Sequence, residues 1–138
     1  MVFAGFNIVA VLLAMIAAMA VGAFWYSVLA KPWIAAVGFS KEELEAVENG
    51  GSPIIYVIAA LSHLVMAIVL AGLIGHLGEI SLWRDLVSAL FVWSGFIATS
   101  MIVNHRFQMK PWSLTIIDAG HYLFVLLAQG AIIGWMGV

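Results

Sequence analysis

In the stretch "TIIDAGHYL", Asp118 and His121 stand three residues apart, on one face of any helix that contains them. A carboxylate and an imidazole one turn apart can exchange a proton near neutral pH. His63, Asn104 and His105 are the other side chains able to join such chemistry, as titrating groups or as hydrogen-bond partners. His63 and His121 carry a second option. Two imidazoles at one depth on neighbouring helices can ligate a b-type haem or a metal ion, or hydrogen-bond a quinone. Ser94, Ser100 and Ser113 lack the context of an activated nucleophile, and the apolar runs hold no carboxylate pair, so hydrolysis has no support and an enzyme is not expected.

The elements that must position these residues are membrane spans. The chain is 65% hydrophobic and 9% charged over 138 residues, with a mean hydropathy of +1.16. Soluble domains carry about 25% charged residues, and this chain cannot cover a water-facing surface with so few. Its apolar runs predict four transmembrane helices at about residues 4–29, 54–75, 84–104 and 112–136, each near the roughly 20 residues that cross a bilayer. The first run has no positive segment before it and is too long for a secretory signal, so it reads as a span. The expectation is an all-α integral membrane four-helix bundle forming a single domain. With no cysteine, disulfide and thiolate chemistry are excluded, and five basic residues give no patch for nucleic acid.

Lys31, Lys41, Arg106 and Lys110 fall in the first and third connections, against Arg84 alone in the second. The positive-inside rule then puts the first and third loops in the cytoplasm and both termini outside. Trp33 and Trp112, with Lys31 and Lys110, read as cytoplasmic interface anchors. Within "KPWIAAVGFSKEELEAVENGGSP", Ser40 and Glu43 form a capping box that opens a short amphipathic acidic helix ending at Asn49-Gly50-Gly51. Ser52-Pro53 reads as the N-cap and first position of the second span.

"KPW" occurs at Lys31-Pro32-Trp33 and again at Lys110-Pro111-Trp112, and each copy precedes a helix bearing a histidine and spaced glycines. The pattern predicts two pseudo-repeated hairpins, with coincidence in an apolar, glycine-rich text as the alternative. Depth along the helices brings His63 and His121 to one level, roughly 12–14 Å from the cytoplasmic end. Ala10, Ala14, Ala18 and Gly22 recur every four residues, and Gly130 with Gly134 forms a GxxxG, so both faces permit close helix approach, within one chain or between chains. The simplest fate of Asp118 is a pair with Arg106, Lys110 or His121.

At "FWYSVLAKPWIAAVGFSKEEL" and "NHRFQMKPWSLTIIDAGHYL" the chain resembles a family of small bacterial and fungal membrane proteins, domain of unknown function 1761. The resemblance covers nearly the whole chain and implies a four-span inner-membrane protein. It supplies no catalytic or binding residues. The expected function is binding or translocation of a small solute or proton at Asp118, His121, His63, Asn104 and His105. The alternatives are an accessory subunit of a larger complex, and a redox protein using His63 and His121. No cofactor is expected under the first reading; haem b or a metal belongs to the last. The expected partners are the lipid bilayer and a homo-oligomer or larger membrane complex.

Overall fold

The computed structural model describes residues 7–137, so the first residues of the expected first span lie outside it. The described residues form helices throughout: α1 (Ile8–Val28), α2 (Ala30–Val37), α3 (Lys41–Glu48), α4 (Pro53–Leu77), α5 (Leu82–Val92), a π-helical segment (Trp93–Ala98), α6 (Thr99–Phe107) and α7 (Trp112–Met136). Four stretches are long and apolar enough to cross a membrane: α1, α4, the continuous run Leu82–Phe107, and α7. The Asn7 side chain caps α1 by accepting from the Ala10 amide (3.1 Å) and donates to the Met136 carbonyl (3.2 Å). That pair of bonds holds the start of α1 against the end of α7. The ends of the bundle can therefore be named a terminal side and a loop side, the latter carrying α2 and α3.

The third span begins earlier than its composition predicts. Ser81 caps it through the Arg84 amide, so Arg84, expected in the second connection, belongs with Asp85 to its first turn. Arg84 stays outside and pairs with Glu79 at 2.7 Å, whereas Asp85 is buried.

On the loop side the two KPW copies turn out to be different structures. The first lies inside α2, a helix not expected from the sequence. Pro32 is tolerated there because the first turn of a helix leaves its amides unpaired. The second copy straddles a boundary: Met109 adopts φ 55°, Pro111 is the N-cap of α7 and Trp112 its first residue. Their anchoring roles part accordingly. Trp33 is half-buried, edge-on to Tyr26 (5.2 Å) and Phe39 (5.5 Å), while Trp112 is exposed under the Arg106 guanidinium at 3.9 Å. Lys31 is exposed, but Lys110 donates to the Val37 carbonyl (2.7 Å) and so caps the end of α2. The capping box at Ser40 and Glu43 makes both of its bonds, and α3 ends at Asn49 with Gly50 and Gly51 at φ 86° and 67°. Ser52 is the N-cap of α4, although its hydroxyl makes no capping bond.

In lipid the hydrophobic effect does not drive helices together, so close packing of small residues must. Ala10, Ala14 and Ala18 are buried, and α1 lies along both α7 and α4. The GxxxG of α7 meets α5: a Cβ at Gly130 would stand 3.1 Å from the Ala89 Cβ and the Asp85 carbonyl oxygen. These small-residue faces thus meet within one chain. The core joins Val11, Ala14, Ala67, Leu70, Ala71, Ile74, Ala89, Leu126 and Ile133. The hairpins are packed unequally, since α1 lies along α7 while its counterpart pair, α4 and α5, barely touches. The π segment and α6 contribute no buried residue.

Candidate functional site

Asp118 projects from the loop-side third of α7, and two indoles fix the turn that carries it. Trp25 of α1 donates to the Ile117 carbonyl (3.0 Å), and Trp93 of the π segment donates to the Ala119 carbonyl (2.7 Å). Gly120 admits the first indole, because a Cβ there would come within 2.9 Å of the Trp25 ring. The carboxyl between these clamps accepts a hydrogen bond from the Tyr26 hydroxyl at 2.8 Å. Its other oxygen lies 3.9 Å from His105 Nε2, beyond hydrogen-bond length. His105 Nδ1 is 3.0 Å from the Thr115 hydroxyl oxygen, which also accepts from Arg106 at 2.8 Å. Asp118 therefore pairs with a phenol, and not with Arg106, Lys110 or His121.

Tyr26 also reaches the histidines, its ring centroid lying 4.9 Å from that of His121. His121 and His63 are brought together, 6.1 Å between centroids, with Tyr122 beside both at 4.7 and 6.3 Å. Both imidazoles are buried, with 5% and 6% of their surfaces exposed. Neither ring nitrogen of His121 has a hydrogen-bond partner among the described residues, nor does His63 Nδ1. An unpaired buried donor costs about 1–3 kcal/mol, so these nitrogens mark a place that gains by taking up a water or a hydrogen-bonding ligand. Gly22 makes the space: a Cβ there would stand 3.1 Å from His121 Nε2.

Among the residues expected at the site, Asp118, His121, His63 and His105 converge. Asn104 does not, since it is exposed on α6. Thr99 and Ser100 turn their hydroxyls back onto the carbonyls of Gly95 and Phe96. Three polar side chains inside the bundle were missed by sequence reasoning. Tyr26 continues the four-residue stripe of Ala14, Ala18 and Gly22, and that register is the signal that points to it. Gln129 is fully buried on α7, seven residues beyond Tyr122, and donates to the His63 carbonyl at 3.0 Å. Asp85 fell inside the expected third span but was given no role. Among the described residues no group of three or more His, Cys, Asp or Glu side chains is placed to hold a metal ion.

Four apolar helices around a buried polar cluster on α7 define a small polytopic membrane protein. The chain belongs to the family described as "Protein of unknown function (DUF1761)", which it matches over residues 9–134. Comparison with curated proteins and with solved structures finds no match.

Proposed function

We propose that this membrane protein binds or translocates a proton, or a small solute exchanging with one, at the loop-side cluster of Asp118, Tyr26, His121 and His63. The observation that carries the reading is the Tyr26 side chain. Its hydroxyl holds the Asp118 carboxyl at 2.8 Å while its ring packs on an imidazole whose nitrogens are unpaired. A carboxyl, a phenol and an imidazole in that order are groups through which a proton can be handed on. The four-to-one distribution of basic residues favours a cytoplasmic location for this side and a periplasmic one for both termini.

The test is proton flux into liposomes carrying the purified protein and an internal pH-sensitive dye, driven by a potassium diffusion potential. Asp118→Asn should insert and fold normally, keeping the shape of the site, and should abolish the flux. Wild-type flux in that variant would refute the reading.

The separation of the two imidazoles supports a second reading, in which His63 and His121 share a metal. Ring centroids 6.1 Å apart are near enough for small side-chain movements to bring a nitrogen of each within about 2.0–2.1 Å of a shared ion. A haem fits less well, because Tyr26, Tyr122 and α1 at Gly22 crowd His121. A Soret band or a stoichiometric metal in mildly extracted protein would favour this reading over the first. The sparse burial of the π segment and α6 supports a partner, whether a second copy or a larger complex, and in-membrane cross-linking from α6 tests it.

A further inference from the structure

Among the described residues, Asp85 is the one buried carboxyl that the cluster above does not use. It is 2% exposed, and its Oδ2 has no hydrogen-bond partner among the described residues. Its seat is shaped by glycine. A Cβ at Gly134 would stand 2.6 Å from Asp85 Oδ2, and a Cβ at Gly130 would stand 3.1 Å from the Asp85 carbonyl oxygen. The GxxxG of α7 therefore receives a carboxyl where a close-packed interface ordinarily receives an apolar side chain. On the other side, Asp85 borders a cleft of about 390 Å³ at the terminal end, lined also by Leu77, Glu79, Trp83, Arg84 and Phe91. The charged groups in that cleft are Glu79 and Arg84, already paired with each other at 2.7 Å, and α7 presents glycines to the carboxyl. Neither supplies a counter-charge across the interface.

A buried carboxylate that has one oxygen unpaired and faces no counter-charge is costly, and uptake of a proton lowers the cost. Asp118 and Gly134 are sixteen residues apart on α7, so the two carboxyls lie at levels about 24 Å apart along the helix axis, close to the roughly 30 Å of a hydrocarbon core. Between them lie apolar packing around Ala14, Ala67, Leu70 and Val125, and the buried amide of Gln129.

We propose that Asp85 is a second proton-binding site, reached from the terminal side through the cleft, which hands protons across the apolar layer to or from the Asp118 cluster. The transport role rests on the reading of Asp118 given above; the existence of the site does not.

Two measurements on the full chain separate them. In liposomes, Asp85→Asn should retain wild-type helicity and lower proton flux at least tenfold; wild-type flux in this variant overturns the transport role. Dicyclohexylcarbodiimide, which enters from the apolar phase and modifies protonated carboxyls, should label Asp85, with less label as the external pH is raised. Peptide mass spectrometry locates the adduct. Absence of an Asp85 adduct at every pH, with the helices intact, overturns the site itself. If the wild type carries no flux but Asp85 is labelled, the site stands and the transport reading of Asp118 falls.

Discussion

Replacing Gly134 by alanine tests the intrachain seat of α5 on α7. The new Cβ would meet Asp85 Oδ2 at 2.6 Å, the Asp85 Cβ at 3.1 Å and the Leu82 Cα at 3.1 Å. A carboxyl oxygen can swing away, but the last contact is backbone. Carbon atoms pack at about 3.5–4.0 Å, so the two helices must separate by roughly half an ångström or more. Forced insertion of a methyl group into a packed interface costs about 1–3 kcal/mol. Alanine also recovers up to about 1 kcal/mol that glycine forfeits inside a helix, which masks part of the loss. Gly95→Ala supplies the control: a Cβ there meets nothing within 4 Å. Both variants share the propensity gain, so the difference between them isolates the overpacking, and Gly134→Ala should be less stable than Gly95→Ala by about 1–3 kcal/mol. Unfolding of the protein by sodium dodecyl sulfate in mixed micelles, followed by circular dichroism, measures it. Equal stability of the two variants would refute the close approach and move the GxxxG face to lipid or to another chain.

Tyr26→Phe keeps the ring against His121 and removes the bond to Asp118, so it should cost about 1–3 kcal/mol in the same unfolding assay and reduce proton flux; unchanged stability and flux would remove Tyr26 from the site. Met109 holds φ 55° at the turn after α6 and is almost fully exposed, so Met109→Gly should stabilise the chain by about 1–2 kcal/mol through relief of a left-handed backbone. Because the chain has no cysteine, single Ser113→Cys and Gly137→Cys variants report orientation without background. In right-side-out vesicles an impermeant maleimide should label the second and spare the first, and the reverse would overturn the proposed topology.

The existence of four membrane helices was legible because each apolar run matches the thickness of a bilayer. The depth of His63 and His121 was legible too, since rise per residue is constant and both helices start on the same side. The neighbours of Asp118 were not. In a soluble bundle the apolar stripe of each helix says which face turns inward. Here α1 and α4 are apolar all round, so hydrophobicity does not distinguish the face on lipid from the face on protein. What does distinguish them is size, and the stripe Ala14, Ala18, Gly22 carried that information one step short of Tyr26. Asn104 failed in the opposite way: proximity in sequence to His105 put it in the cluster, but adjacent residues on a helix point about 100° apart, and α6 turns it outward.

The two KPW copies show how far a short motif can be trusted in such a chain. Identical tripeptides take different structures because the residues around them differ. Before the first copy, Leu29 at φ −99° continues the chain into another helical turn, which accepts Pro32 at its third position. Before the second, Gln108 and Met109 close α6 with bonds back to Asn104 and Arg106, and the left-handed Met109 turns the chain sharply, so Pro111 can only precede a helix. The two copies therefore share a sequence and a place before a histidine-bearing helix, but not a local structure. The shared level of the two histidines does not require duplication. It requires only that α4 and α7 start on the same side and carry a histidine nine or ten residues into the helix, and the 6.1 Å between their rings then follows from both helices packing on α1. Gly22 of α1 leaves the space in which His121 meets His63, and Tyr26, one turn on, ties that space to Asp118. The apolar helix α1 thus completes a site carried by α7 and α4, by a missing side chain and one hydroxyl.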